Sequence, residues 1–208
     1  MSLLVVNLGL PKSGTTTLAR ALRRAGYKVA DHRIRQGQSA NDAHKGKFVG
    51  AMMYRGYFNT GDPGAEFDDF DAVTEVNLIQ RGRSLWPQTD FGLLDALRKH
   101  HPEVRFLASS RDPAELSASM AAWTNLGSHR LPRAAIPGLP AGYGETDAER
   151  IKWIEGHYAH LRAIFANDPV FLEFDVAEEA APKKIAKHLG RPLPWWGRAN
   201  ANAKRKAG

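Results

Sequence analysis

Gly9 and Gly14 enclose the turn Leu10-Pro11-Lys12-Ser13, and Thr15, Thr16 and Thr17 follow at once. A lysine between two glycines with hydroxyls beside it is a set of residues able to hold an oxyanion. The glycines let the backbone close on the anion without a Cβ in the way. The pattern departs from the Walker sequence G-x-x-x-x-G-K-[ST], because Thr15 stands where that lysine belongs. The only lysine of the turn, Lys12, lies two positions before the second glycine, so its ammonium approaches the anion from the other side of the loop. A second set lies downstream: Arg111, and eight residues later Ser119. A guanidinium fork plus a hydroxyl suits a phosphate monoester. An ion pair of Arg111 with Asp112 or Glu115 is the plainer reading of the same residues.

These side chains need a frame, and the hydrophobic pattern supplies one. Leu3 to Val6 reads as a buried strand, and Thr15 onward has helical spacing through Leu18, Ala19, Ala21 and Leu22. Strand, glycine turn and helix N-terminus aim unpaired N–H groups and the positive end of the helix dipole at one point. The helix should end near Ala25-Gly26. Further strands are expected at Tyr27 to Ala30, Ala72 to Val76, Val104 to Ala108 and Val170 to Phe174. Helices are expected at Phe48 to Phe58, Phe91 to His100, Pro113 to about Trp123, Asp147 to Ala166 and Glu178 to Leu189. Asp31 to Lys47 reads as a loop, and Asn125 to Thr146, with four Gly and three Pro, as a long loop or lid. Strands alternating with helices predict an α/β fold: a parallel β-sheet flanked by helices on both faces, a P-loop-like three-layer sandwich. Such sheets bind ligands beyond the carboxyl ends of their strands.

The bulk numbers narrow the classes. At 208 residues the chain fits a single domain, 1–208, with a basic tail from about residue 198. It has no cysteine, which excludes disulfides, thiolate metal sites and a Cys nucleophile. No Asp/His cluster has metal-ligand spacing, so no metal is expected. No window approaches the ~20 apolar residues of a membrane span, and the short N-terminal apolar run lacks the basic flank of a signal peptide. A cytoplasmic protein without a membrane partner is expected. Four of the seven excess positive charges belong to Arg198, Lys204, Arg205 and Lys206, which leaves three for the rest. No concentrated basic stripe of the kind a nucleic-acid reader carries is present.

Pro11-Lys12-Ser13-Gly14-Thr15-Thr16 resembles the 5′-phosphosulfate loop of the sulfotransferases that use 3′-phosphoadenosine 5′-phosphosulfate (PAPS). Arg111-Asp112-Pro113 with Ser119 is similar to the family's 3′-phosphate motif in its bacterial members. Phe171 to Asp175, Leu189-Gly190 and Trp195 to Asn200 look like the C-terminal third of small bacterial sulfotransferases. The resemblance implies that PAPS is the cofactor and 3′,5′-ADP the product. It implies that Pro11, Lys12, Ser13, Gly14, Thr15 and Thr16 hold the phosphosulfate, with Lys12 on the oxygen bridging phosphorus and sulfur. Arg111 and Ser119 would hold the 3′-phosphate. Arg198 would close the pocket, with Arg191 and Lys204 behind it. A cofactor of roughly −4 charge suits the modest basic excess.

Transfer to an alcohol needs a base for the acceptor proton, and positioning and electrostatics do most of the remaining work. Glu75 is the first candidate, as a strand-end Glu similar to that of glycan-modifying sulfotransferases. His32, just after the second strand, is its rival, because small-molecule sulfotransferases use a His. Asp71 is third. Lys12, Glu75 and His32 are thus the catalytic candidates. The remaining histidines read as surface or packing residues. Trp123, Trp153 and Tyr158 are either core or the lining of a cleft for a small-molecule or glycan acceptor. Two other readings stay open: a small-molecule kinase with a degenerate P-loop, and a non-catalytic nucleotide-binding protein.

Overall fold

The computed structural model describes residues 3–80, 82–197 and 199. In chain order they form β1 (Val5–Asn7), α1 (Thr15–Arg24), β2 (Val29–Ala30), α2 (Val49–Thr60), β3 (Ala72–Val73), β4 (Leu78–Gln80), β5 (Arg83–Leu85), α3 (Phe91–His100), β6 (Arg105–Ser110), α4 (Pro113–Ala121), the short α5 (Leu131–Arg133), α6 (Asp147–Ile164), β7 (Phe171–Asp175) and α7 (Ala181–Leu189). Five strands make one parallel sheet in the order β2-β3-β1-β6-β7. The chain is therefore an α/β three-layer sandwich with a P-loop-like first turn.

The two faces of the sheet read directly from alternate residues. Val5, Val29, Ala72 and Leu107 pack with Leu18, Leu22, Ala181 and Ile185, so α1 and α7 cover that face. Val6, Ala30, Val73, Phe106 and Ala108 pack with Met52, Leu93, Leu116 and Leu161, so α2, α3, α4 and α6 cover the other. Each fully buried Leu or Met of this kind stabilises the fold by about 1.5–3 kcal/mol. The β1–α1–β2 connection runs to one side of β1 on one face; the connection between β6 and β7 runs to the other side on the opposite face. That divergence opens a crevice at the carboxyl ends of β1 and β6.

Four elements differ from expectation. The strand expected at 72–76 pairs only over Ala72–Val73. The carbonyl of Thr74 instead accepts the side-chain amide of Asn7 at 2.8 Å, and the chain leaves the sheet there. Glu75 thus stands two residues beyond the strand. The strand expected at 104–108 reaches Ser110, because β7 pairs with it as far as Ser110 opposite Asp175. The segment 125–146 contains a π-helical turn, Leu126–Arg130, running straight into α5. The antiparallel hairpin β4–β5 was not anticipated.

Candidate functional site

β1 ends in Asn7, a fully buried amide that ties three strand ends together. Its Nδ2 donates to Thr74 O (2.8 Å) and to Ser109 Oγ (3.2 Å), and its Oδ1 accepts from Ser109 N (3.0 Å). A buried amide holds such a position only when its hydrogen bonds are made. Ser13 joins the same network: its Oγ lies 2.7 Å from Ser109 Oγ and its N–H donates to Leu10 O. From α6, His157 Nε2 donates to Leu8 O (2.9 Å) and the Tyr158 hydroxyl donates to Ser109 O (2.7 Å). Burial pushes the His157 pKa down to about 4 and raises that of Tyr158, so both work as neutral donors. The glycine turn is held from beneath by the sheet and from the side by a helix.

The upper side of that turn is open. Gly14 has φ 104° and Lys12 φ 71°, left-handed conformations that fold the loop tightly. A Cβ on Gly14 would run into Val176, and one on Gly9 into Ser109. Among the described residues no side chain caps α1, which leaves its first-turn N–H groups to donate outward. The Lys12 ammonium lies over the Trp123 ring, 3.6 Å from its centroid. Burial lowers its pKa, the charge of Glu75 opposes that, and Arg111 adds to it.

Pro11, Lys12, Gly14, Thr15, Thr16, Arg111, Ser119, Glu75 and His32 all line one cleft of about 1380 Å³. Glu75 Oε2 accepts from the Thr15 hydroxyl at 2.8 Å, and its other oxygen lies 3.6 Å from His32 Nδ1. The two rival bases are thus neighbours. His32 itself has φ 49°, the Glu75 carbonyl accepts its N–H, and its ring meets Phe48 edge-on. Arg111 reaches the cleft from the end of β6. Its Nη2 donates to Glu115 Oε2 at 2.9 Å, the ion pair expected as the plainer reading, while Asp112 caps α4.

Several expectations need correction. Ser13 does not face the cleft; it is fully buried and bonded to Ser109, so it positions the loop from within. Asp71 lies at the opposite, amino-terminal end of β3, where it accepts the N–H of Lys28. Trp153 and Tyr158 are core residues, and of the three aromatics only Trp123 borders the cleft. Arg191 stacks over Tyr27 away from the cleft. Arg198 and Lys204 lie outside the described residues. Trp196, Gly197 and Ala199 border the cleft.

Sequence reasoning missed Arg130 and Asn77, both on the cleft wall. Arg130 ends the π-helical turn, and nothing in 125–146 marked it out from other loop arginines. Among the described residues no group of three or more His, Asp or Glu side chains could share a metal ion. Among the described residues no helix is long and apolar enough to cross a membrane.

A family model described as a sulfotransferase domain matches residues 4–206. Among curated proteins none matches. Among solved structures, an unliganded sugar kinase from Janibacter sp. HTCC2649 is similar with a TM-score of 0.48 and 17% identity, over 91% of this chain and 95% of that one.

Proposed function

The chain belongs to the sulfotransferase domain family, and we propose that it transfers a sulfuryl group from PAPS to a hydroxyl or amine of a small-molecule or glycan acceptor. The observation that carries this reading is one cleft bordered by two anion-binding sets, at the ends of β1 and β6, with a carboxylate past the end of β3 on the far side of the Lys12 loop. The loop at Lys12 and the start of α1 fit a phosphosulfate: no Cβ fills the turn at Gly14, and among the described residues no side chain caps the helix. Arg111 and Ser119 fit a second phosphate. When bound, PAPS supplies the sulfuryl group and leaves as 3′,5′-ADP.

The residues then divide the work. Lys12 moves its ammonium from the Trp123 face onto the oxygen that gains charge, and the loop amides hold the adjoining phosphate oxygens. Arg111 turns its fork to the 3′-phosphate. Glu75 takes the acceptor proton on the oxygen facing His32, while the Thr15 hydroxyl holds its other oxygen. That bond fixes the carboxylate's orientation, and His32 stands ready to share the proton.

Thermal stabilisation by 3′,5′-ADP against that by ATP with Mg²⁺ tests the reading, since a ligand stabilises the fold according to its concentration over Kd. A clear preference for 3′,5′-ADP is expected. A preference for ATP with Mg²⁺ would favour a kinase, and stabilisation by neither would remove the nucleotide site.

A further inference from the structure

Two arginines among the described residues, Arg150 and Arg130, are treated in opposite ways. Arg150, buried on α6, has its nitrogens satisfied by Ser117 Oγ, the carbonyls of Gly144 and Glu145, and the Asp147 carboxylate. Arg130 is half-buried with its Nε fully enclosed, and that Nε has no hydrogen-bond partner among the described residues. No hydrogen bond or ion pair joins its guanidinium to any described acid. Glu75 acts on it only through space. The enclosed Nε lacks a partner while the residue itself borders the open cleft, so an anion entering the cleft would supply the partner that the described residues do not.

Its position says which ligand that anion belongs to. Arg130, His32 and Ile79 border both the main cleft and an adjoining pocket of about 500 Å³, whose other walls include Phe48 and Leu78. Lys12, Arg111 and Ser119 border only the main cleft. The side pocket therefore opens on the Glu75–His32 side, away from the two sets assigned to the donor. Arg33, Arg35 and Lys45 border the cleft as well, and Asp31 beside them is paired with Arg23. Phe48 and Ile79 give the side pocket a small apolar patch among the polar Gln80, Thr124, Asn125 and His129.

We propose that the acceptor is a hydroxylated small molecule carrying an oxyanion, a carboxylate or a phosphate ester, which Arg130 binds at the mouth of the side pocket while the hydroxyl meets Glu75. This assignment rests on the sulfuryl-transfer reading of the cleft. The oxyanion supplies the missing partner of the fork, and a planar or tetrahedral oxyanion can accept two of its N–H groups at once. Arg130 thereby sets which hydroxyl of the acceptor reaches the base.

The test is calorimetric titration of the full chain, with and without saturating 3′,5′-ADP. The probes are methyl glucuronoside against methyl glucoside, and glucose 6-phosphate against glucose. The two pairs separate a carboxylate from a phosphate as the source of the oxyanion. At least one anionic probe should bind about 10-fold or more tightly than its neutral partner, the low end for a charged hydrogen bond. Arg130→Met should reduce that preference to within about 2-fold, and Arg130→Lys should restore part of it. The affinity for 3′,5′-ADP should not change in either variant. The melting temperature of free Arg130→Met should be unchanged or higher, because no internal partner is lost; a purely structural arginine would lower it. The proposal is overturned if neither anionic probe outbinds its neutral partner, if the preference survives in Arg130→Met, or if that variant loses 3′,5′-ADP affinity. Failure of 3′,5′-ADP to bind, with the Arg130-dependent preference intact, would instead remove the donor assignment and leave this site standing.

Discussion

Removing the Arg111 guanidinium probes the donor half of the cleft with a magnitude that the geometry sets. In the free protein Arg111 Nη2 donates to Glu115 Oε2 at 2.9 Å, with 28% of the Arg side chain and 62% of the Glu side chain exposed. An exposed pair at i,i+4 is worth about 0.3–0.5 kcal/mol. A charged hydrogen bond to a bound phosphate is worth about 1.5–3 kcal/mol. Turning the fork from Glu115 to a 3′-phosphate therefore nets about 1–2.5 kcal/mol, and Arg111→Ala should weaken 3′,5′-ADP roughly 5- to 70-fold. The affinity for 5′-AMP, which lacks the 3′-phosphate, should stay within about 2-fold. Glu115→Gln removes the competitor and should tighten 3′,5′-ADP by about 2-fold. Calorimetric titration of both nucleotides against the three proteins measures all of this. Equal losses for 3′,5′-ADP and 5′-AMP in Arg111→Ala would refute the reasoning, because they would make the arginine a structural partner of Glu115 and nothing more.

Lys12→Ala should abolish transfer from PAPS while leaving the circular dichroism spectrum intact; an undiminished rate with any accepted acceptor would contradict the role given to its ammonium. Glu75→Gln should lower turnover by about 10²–10⁴-fold with little change in 3′,5′-ADP affinity, and a comparison with His32→Gln identifies which loss removes the acidic limb of the pH–rate profile. Gly14→Ala should lower the urea midpoint by an amount equivalent to more than about 1 kcal/mol, because the residue has φ 104° and the new methyl meets Val176; an unchanged midpoint would mean the loop relaxes freely. Stability should fall as pH drops from about 6.5 towards 4, since the unfolded chain binds a proton at His157 that the folded one, with its pKa near 4, refuses. Denaturant midpoints across that range should show a shallower slope in His157→Gln than in the parent.

The first turn and its neighbours were legible because their signals are local. Two glycines, a proline, a lysine and a run of Thr leave few conformations besides strand, loop and helix start. α3 was legible for the same reason, with Phe91, Leu94 and Leu97 at helical spacing and a Pro shortly after. What escaped is what depends on distant partners. Thr74 and Val76 are as buried as strand residues, yet the strand stops at Val73 because Asn7 takes the next carbonyl. Ser13 reads as a loop hydroxyl until Ser109, 96 residues away, turns it inward. The hairpin β4–β5 has three-residue strands with Gln80 and Arg83 at the turn, too short to show a period. Trp153 and Tyr158 share the stripe of α6 with true core residues, and only packing separates a core aromatic from one that borders a cleft.

The amide of Asn7 has a consequence for how such a protein can change. It locks the turn after β1, the exit of β3 and the end of β6 into one rigid unit. Much of the wall opposite comes from two excursions, 33–47 and 124–146, that contain only short turns and no long helix or strand. Lineages could therefore exchange those excursions, and engineers could graft them, while the buried keystone keeps the reactive groups in register. Diversification and chemical competence are carried by different stretches of chain.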